Sequence, residues 1–402
     1  MAPIDDAAMR KTTSVSSSSA LFYGDTELSI IAFTHFANHV YTQIHFALIP
    51  VFMKEFDLSL VHVGIMVMIP MLSEAIATVP AGLLADKLGY FRQVIISLGI
   101  TAGAALLMTQ AQNPYFVVLA LSLLAISTTI YHPPAYGAVS QMFQERKNRA
   151  LGIHGAGGTL GWALGPFSVG FLLNVGWRSV YLLWIPPTLL CMFLLSRMRS
   201  PETTIVEISR KSNGSVKSMF TTGLLVVLSM IAVNSMGRQI VSTLTSPYVV
   251  LARGFTVQEA SYIMGAMSLT GIIAAPIGGM FADKLGEKRW LTITMTSTIL
   301  ALLAFIRTET IATLLLCAVV YGYLVYSGMG ATAALISYFT PTSRRGLGYA
   351  LFFLPSYIVG AVAPVVGTTL AESYGIFTSF FLAVAFMAAA VIVLQKIRIR
   401  GR

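Results

Sequence analysis

Long apolar segments separated by short polar ones dominate the pattern of this chain. Each apolar segment is about 20 residues or more, which is long enough to cross a bilayer as a helix. The pattern therefore predicts an all-α membrane protein with twelve transmembrane helices. The predicted spans, numbered in chain order, are 28–52, 60–84, 92–111, 114–141, 149–173, 178–197, 219–250, 256–282, 289–307, 311–338, 345–371 and 375–395.

The polar segments divide the chain into two halves. A basic segment at 198–218 separates a predicted N-terminal six-helix bundle, 28–197, from a C-terminal one, 219–395. We interpret this segment as a cytoplasmic linker. Residues 1–27 are polar and serine-rich and have no apolar core of a signal peptide, so we interpret them as a disordered cytoplasmic tail. A basic cytoplasmic tail is predicted at 396–402.

One short motif occurs in both halves, each time between two spans. Its copies lie at 82–92 and 279–289, and equivalent residues are 197 positions apart. A repeat of about half the chain length indicates two duplicated, pseudo-symmetric bundles. The motif residues that we expect to take part in gating are Gly82, Asp86, Arg92, Gly279, Asp283 and Arg289.

The repeated pattern, Gly-x-x-x-Asp-(Arg/Lys)-x-Gly-x-(Arg/Lys), resembles the cytoplasmic loop signature of the major facilitator superfamily. The resemblance implies a fold of two bundles that rock about a central site, with the repeated loops closing the cytoplasmic side. Residues 34–38, residues 131–133 and the glycine run ending at 164–166 together resemble the fosmidomycin-resistance type of efflux protein. Many proton-coupled drug antiporters carry an arginine in the fourth helix, where this chain has His132.

Composition and charge agree with a membrane protein. The chain is 56% hydrophobic and 10% charged, whereas an ordinary soluble domain is roughly 25% charged. The net charge of +10 does not indicate a nucleic-acid partner, because the basic residues lie between apolar spans. With both termini in the cytoplasm, 21 Lys and Arg residues lie on the inner side and four on the outer side. The positive-inside rule therefore predicts this orientation in the cell membrane.

A stripe of polar side chains runs along span 1. His35, Asn38, His39, Thr42 and His45 share one helical face. We expect the first four to bind substrate, although the stripe could simply hydrogen-bond a neighbouring helix. His35 and His39, four residues apart, could also chelate a metal. The sequence offers them no clear carboxylate or cysteine partner, so we predict no metal and no cofactor.

Span 7 carries a second polar patch. The 197-residue offset places Arg238 at the position of Tyr41 in span 1, so the two patches are equivalent in the repeat. Transporter sites form at such repeat interfaces. We expect Asn234 and Arg238 to bind substrate, since a guanidinium group suits a carboxylate, phosphonate or phosphate. The alternative is a structural ion pair between Arg238 and Glu74.

Three residues are candidates for proton coupling. Glu74 is the one carboxylate deep within a predicted span, and His39 and His132 can also titrate. Tyr131 and His132, predicted to contact substrate, precede Pro133 and Pro134. Two adjacent prolines predict a helix break or kink at this point.

Glycines mark one face of span 5. Gly161, Gly165 and Pro166 resemble the antiporter motif of the family, and Pro364 marks a counterpart in span 11. The resemblance implies that spans 5 and 11 contact each other and seal leaks. Close helix packing without any role in antiport is the alternative.

Together these features predict a secondary transporter that exports a small anionic or amphipathic compound, coupled to protons. The alternative is uptake or exchange of a small organic anion, such as a carboxylate or phosphonate. The sequence has no nucleophile–base pair and no HExxH motif, so we predict that the protein is not an enzyme. The expected partners are a small-molecule substrate, protons and the lipid bilayer, and we expect a monomer.

Overall fold

The computed structural model describes residues 17–201, 221–340 and 345–397. The predicted tail residues 1–16 and 398–402 and most of the predicted linker, 202–218, lie outside these described residues. All regular elements of the described part are helices, which confirms the all-α fold. Ten helical segments of this part are long and apolar enough to cross a membrane.

The helices follow the predicted spans closely. In the first half they are α1 (Ser17–His39), α2 (Ile44–Glu55), α3 (Leu60–Leu88), α4 (Tyr90–Thr109), α5 (Pro114–Met142), α6 (Lys147–Leu172) and α7 (Trp177–Ser196). In the second half they are α8 (Thr222–Pro247), α9 (Val257–Leu269), α10 (Gly271–Leu285), α11 (Glu287–Phe305), α12 (Ile311–Ser327), α13 (Met329–Phe339), α14 (Arg345–Tyr374) and α15 (Ile376–Gln395). Because α1 begins at Ser17, residues 17–27 are helical where the sequence predicted a disordered tail.

Three predicted spans are interrupted. Span 1 is divided by a turn at 40–43, span 8 at Thr270 and span 10 at Gly328. The sequence predicted each of these as one continuous helix. The interruptions explain why the described part has fifteen α-helices for twelve predicted spans.

Backbone carbonyl groups beside these interruptions have side-chain partners. The Thr42 hydroxyl donates to the His39 carbonyl at 2.8 Å. The Trp290 indole donates to the Ser327 carbonyl at 3.0 Å. Irregular backbone at membrane depth requires such partners, because lipid offers none. The interruptions are therefore compatible with a membrane-spanning fold.

The helices form two bundles that meet along two pairs of helices. In the first half α6 packs on α1 and α5 on α4, and in the second half α14 and α15 pack on α8. Contacts between the halves are made mainly by α3 with α14 and by α6 with α9. Large apolar side chains are exposed on the outside of the bundles, as expected for surfaces that face lipid. Examples are Ile273, Leu300, Leu316 and Ile392.

Hydrogen bonds join the two halves at one end of the molecule. The Val61 backbone N–H donates to the Glu372 carboxylate at 2.9 Å, and the Gln258 amide donates to the Asn174 amide oxygen at 3.0 Å. These residues lie near the loops at 56–59, 173–176 and 253–256. The repeated motif lies at the opposite end. The end joined by these bonds is called the joined end below.

The duplicated motif adopts the same backbone conformation in both halves. Gly89, between α3 and α4, has φ +81°, and Gly286, between α10 and α11, has φ +85°. They are 197 residues apart. Both helix pairs thus turn through a left-handed glycine, a conformation that strains any residue with a Cβ atom.

We predict that Gly286→Ala destabilises the protein by about 1–3 kcal/mol, because alanine is strained at this positive φ. Gly279→Ala, in the same motif, is the matched control. Gly279 lies inside α10, and a Cβ there has no neighbour within 4 Å. Thermal unfolding in detergent should show a lower Tm for Gly286→Ala only. Equal melting temperatures for the two variants would contradict this explanation.

Candidate functional site

Histidines from two helices meet inside the first half. The Nε2 atoms of His39 in α1 and His132 in α5 lie 3.1 Å apart. The ring centroid of His35, one turn before His39, lies 4.6 Å from that of His39 and 5.4 Å from that of His132. His35 and His39 are buried, and His132 is partly exposed. The structure thus groups three of the predicted site residues, from spans 1 and 4, into one cluster.

A fourth histidine, His154 of α6, packs against the His35 ring of this cluster. Its ring stacks on that of His35 with centroids 4.2 Å apart. Its backbone carbonyl accepts a hydrogen bond from Nδ1 of His35 at 2.8 Å. The His35 ring is therefore fixed in orientation by α6.

The two prolines of α5 do not break the helix, which corrects the expectation of a break. Helix α5 continues through Pro133 and Pro134. Pro134 has no N–H to bond the Ile130 carbonyl, and the buried Gln93 of α4 donates to that carbonyl instead, at 3.1 Å. A neighbouring side chain thus replaces the lost backbone bond.

The glycine face of α6 packs against α1. A Cβ added to Gly157 would collide with the Ala32 carbonyl group. A Cβ on Gly161 would collide with the Phe36 carbonyl group, and one on Gly165 with that of Val40. The expectation that this face meets span 11 is therefore wrong for these glycines. Close approach of two backbones requires residues without side chains. Pro166 is buried in the same helix.

The proline and glycine residues of span 11 pack against α3 and α8. On α14, the Pro364 carbonyl faces Gly64 of α3, where an added Cβ would lie 3.0 Å away. Gly367 of α14 packs against Ile240 of α8. The α14–α8 contact therefore corresponds in the repeat to the α6–α1 contact.

The other predicted site residues of the first half, Asn38, Thr42 and Tyr131, have hydrogen-bond partners outside the three histidine rings. The Asn38 amide is buried and donates toward the hydroxyl groups of Ser97, Thr101 and Ser127, at 3.3–3.4 Å. Thr42 lies in the interruption after α1. The Tyr131 hydroxyl forms a 2.8 Å hydrogen bond with Thr34, and its ring stacks on His35 with centroids 5.4 Å apart. Of these residues, only Tyr131 contacts the cluster through its ring.

Arg238 lies on α8 in the second half and is partly buried. Its guanidinium group is within electrostatic range of the hydroxyl groups of Tyr321 and Tyr326. Within the described residues Arg238 forms no ion pair with Glu74. The alternative role, a structural ion pair between these two residues, therefore has no supporting contact. Asn234, one turn earlier, is also partly buried.

Two aromatic residues connect the histidines to Arg238 across the interface between the halves. The His39 ring lies edge-on to that of Trp162 of α6, with centroids 4.8 Å apart. Trp162 in turn lies 6.1 Å from Tyr326 of α12. The sequence reasoning missed both residues, although Trp162 directly follows Gly161 of the packed glycine face. The equivalent patches of spans 1 and 7 are thus joined through Trp162 and Tyr326.

Glu74 of α3 lies near a second pair of aromatic residues. It is partly buried and within electrostatic range of Tyr357 of α14, which is also within range of Tyr136 of α5. The Tyr136 ring stacks on that of His132, with centroids 5.9 Å apart. Tyr136 and Tyr357 therefore lie between Glu74 and the histidines, and neither was predicted.

The predicted gating residues of the repeated motif are described in part. The surroundings of Gly82 and the side chain of Asp86 lie outside the part of the chain that the structure describes. Arg92, Asp283 and Arg289 are exposed. In the described part Asp283 and Arg289 form no ion pair with each other.

A different residue of the second motif copy forms a buried contact. The carboxylate of Glu287 accepts a hydrogen bond from the Tyr338 hydroxyl at 2.9 Å. Glu287 is buried at the start of α11, and Tyr338 belongs to α13. The motif therefore ties together helices of its own half.

A duplicated bundle of apolar helices with a polar cluster at the interface of its halves defines a membrane transport protein of the twelve-helix class. The family model of the Major Facilitator Superfamily matches residues 31–233 and 227–400. The chain belongs to the major facilitator superfamily.

Curated relatives and solved structures agree with this family. The chain is 21% identical over 359 residues to the fosmidomycin resistance protein of Escherichia coli, covering 84% of each chain. It is 24% identical to the multi-drug resistance efflux pump PmrA of Streptococcus pneumoniae, covering 81% of this chain and 84% of the relative. A bacterial homologue of the human lysosomal transporter Spinster, in an inward-facing and occupied conformation, matches with TM-score 0.80 and 15% identity over 92% of this chain and 96% of that one. These likenesses confirm the fold and the predicted resemblance.

We predict that Gly158→Ala destabilises the protein by about 1–3 kcal/mol through overpacking. A Cβ at Gly158 would lie 2.6 Å from Cε1 of His35 and displace that ring. Gly155→Ala on the same helix is the control, because a Cβ there has no neighbour within 4 Å. Thermal unfolding in detergent measures both. A Gly158→Ala protein as stable as the control would show that the His35 ring is loosely held.

Proposed function

We propose that this protein is a secondary transporter that exports a small anionic or amphipathic compound across the cell membrane in exchange for protons. It works by alternating access, as a monomer with both termini in the cytoplasm. Membership of the major facilitator superfamily and the names of two relatives, a fosmidomycin resistance protein and a multi-drug efflux pump, support this reading.

The position of Arg238 is the observation that carries the substrate class. It is a fixed positive charge, partly buried, beside Tyr326 at the interface between the halves. No carboxylate of the described residues pairs with it. A buried charge without a partner is costly, so an anionic group of the substrate would stabilise it. Phosphonate, carboxylate or phosphate would each accept two hydrogen bonds from the guanidinium group.

Glu74 is the residue that we propose for proton coupling. It lies on α3, which packs against α14 of the other half, so its surroundings change when the halves rock. A carboxyl group can carry a proton between the two states of such an interface. Tyr136 and Tyr357 lie between this carboxyl group and the histidine cluster.

The hydrogen bonds at the joined end support a conformation in which the transporter is closed at that end. The positive-inside distribution of basic residues places the joined end outside the cell. The described structure would then be closed to the outside, and the repeated motif would lie at the cytoplasmic end. In this reading the Glu372 and Gln258 bonds break when the transporter opens outward.

We predict that Arg238→Ala lowers affinity for an anionic substrate about 10- to 100-fold, which is the effect of losing a hydrogen-bonded charge. The affinity of Arg238→Lys should lie between those of the wild type and Arg238→Ala, because lysine keeps the charge but not the bidentate geometry. Binding of the phosphonate fosmidomycin, as an anionic probe, is measured by isothermal titration calorimetry. The exposed Arg307 serves as the control in Arg307→Ala. If Arg238→Ala bound fosmidomycin as tightly as this control, the anionic site would lie elsewhere.

We predict that Glu74→Gln abolishes acceleration of transport by a pH gradient yet keeps one-for-one substrate exchange. Glutamine cannot release a proton but preserves the shape of the side chain. Counterflow of fosmidomycin in proteoliposomes, with and without a pH gradient, measures both activities. The exposed Glu309 gives the control, Glu309→Gln. A wild-type protein that exchanges substrate one for one without any effect of pH would instead support exchange of organic anions.

A further inference from the structure

The histidine cluster has a geometry that the transport proposal does not use. One ring nitrogen from each of His35, His39 and His132 lies within 4.8 Å of the other two. We infer that these three residues form a binding site for a divalent transition-metal ion, with Zn²⁺ as the best-suited metal. Helix α1 supplies two ligands four residues apart, and α5 supplies the third.

Hydrogen bonds fix which nitrogens are free to bind the metal. Nδ1 of His35 donates to the His154 carbonyl at 2.8 Å, and Nδ1 of His132 donates to the Thr128 carbonyl at 2.7 Å. A carbonyl oxygen only accepts, so each Nδ1 carries the hydrogen in the neutral ring. The lone pair of each ring is therefore on Nε2. Metal-binding histidines are held in this way by carbonyl groups behind them.

The unprotonated Nε2 atom of His35 has no other ligand or hydrogen-bond donor among the described residues. Nε2 of His35 is buried and has no hydrogen-bond partner, and the residue is 4% exposed. Leaving such an atom unpaired is unfavourable in a low-dielectric interior. A metal ion would satisfy it.

The contact between His39 and His132 also fits a metal. Their Nε2 atoms are 3.1 Å apart. Two nitrogen ligands of a tetrahedral Zn²⁺ ion, each at about 2.0–2.1 Å, are separated by about 3.3 Å. Without metal, His39 donates its Nε2–H to the lone pair of His132. On metal binding the His39 ring takes its other neutral tautomer, in which the hydrogen is on Nδ1 instead of Nε2, so that all three rings offer an Nε2 lone pair.

The chemistry of the donors selects the kind of metal. Three neutral imidazole nitrogens suit Zn²⁺, Co²⁺, Ni²⁺ and Cu²⁺ and do not suit Mg²⁺ or Ca²⁺, which prefer oxygen. His132 is partly exposed and stacks on Tyr136, which is 41% exposed. This side gives the ion a route of entry. The fourth coordination position is left for water or another oxygen ligand.

Metal binding to the purified full chain in detergent tests the inference directly. The affinity tag must contain no histidine. Isothermal titration with Zn²⁺ should give one site per chain, and Co²⁺ should give the intense visible bands of a tetrahedral nitrogen site. Mg²⁺ should do neither. His35→Ala, His39→Ala and His132→Ala should each weaken Zn²⁺ binding more than about tenfold.

His45→Ala is the matched control, since His45 is a partly buried histidine of α2 outside the cluster. It should bind Zn²⁺ like wild type. Zn²⁺ should also raise the Tm of wild type and of His45→Ala but not that of His132→Ala. Because His132 is partly exposed, this comparison remains possible if the buried variants His35→Ala and His39→Ala fail to fold. Less than one Zn²⁺ per chain in wild type would overturn the inference. Wild-type affinity in His132→Ala, or equal loss in His45→Ala, would overturn it as well.

Discussion

The close packing of α6 on α1 is the contact on which the rest of the candidate site depends. Gly157, Gly161 and Gly165 let the two backbones approach, because a Cβ at any of them would press on α1. This approach stacks His154 on His35. It also carries Trp162 to the edge of the His39 ring and toward Tyr326 of the other half. A wider helix separation would remove all these contacts together.

A second constraint comes from the membrane, where polar groups must find partners within the protein. Gln93 bonds the carbonyl that Pro134 leaves free, and Trp290 bonds the Ser327 carbonyl beside the interruption at Gly328. These partners let proline and irregular turns exist inside the bundle. The same requirement keeps the histidines and Arg238 inside the protein and away from lipid-facing surfaces.

Duplication preserved part of the backbone geometry of the two halves but not their chemistry. The left-handed turns at Gly89 and Gly286 match, and the α14–α8 contact corresponds to the α6–α1 contact. The side chains at equivalent positions differ. Arg238 corresponds to Tyr41, a fully buried residue whose hydroxyl bonds to Thr188 within its own half. A pseudo-symmetric scaffold therefore holds an asymmetric site, with imidazoles in one half and a guanidinium group in the other.

The sequence by itself determined the twelve spans, the duplication and the family, because long apolar runs and a motif repeated 197 residues apart are local or periodic signals. It also identified His39, His132 and Arg238, since polar groups are rare within apolar spans. Only the tertiary structure decided which of them meet. Whether Pro134 breaks α5 depends on Gln93, 41 positions earlier in the chain. The sequence showed the i,i+4 pair of His35 and His39, but the third histidine beside them, His132, comes from another helix and has no signature along the chain. Contacts between distant segments depend on helix packing, and packing is fixed only when every helix has its neighbours.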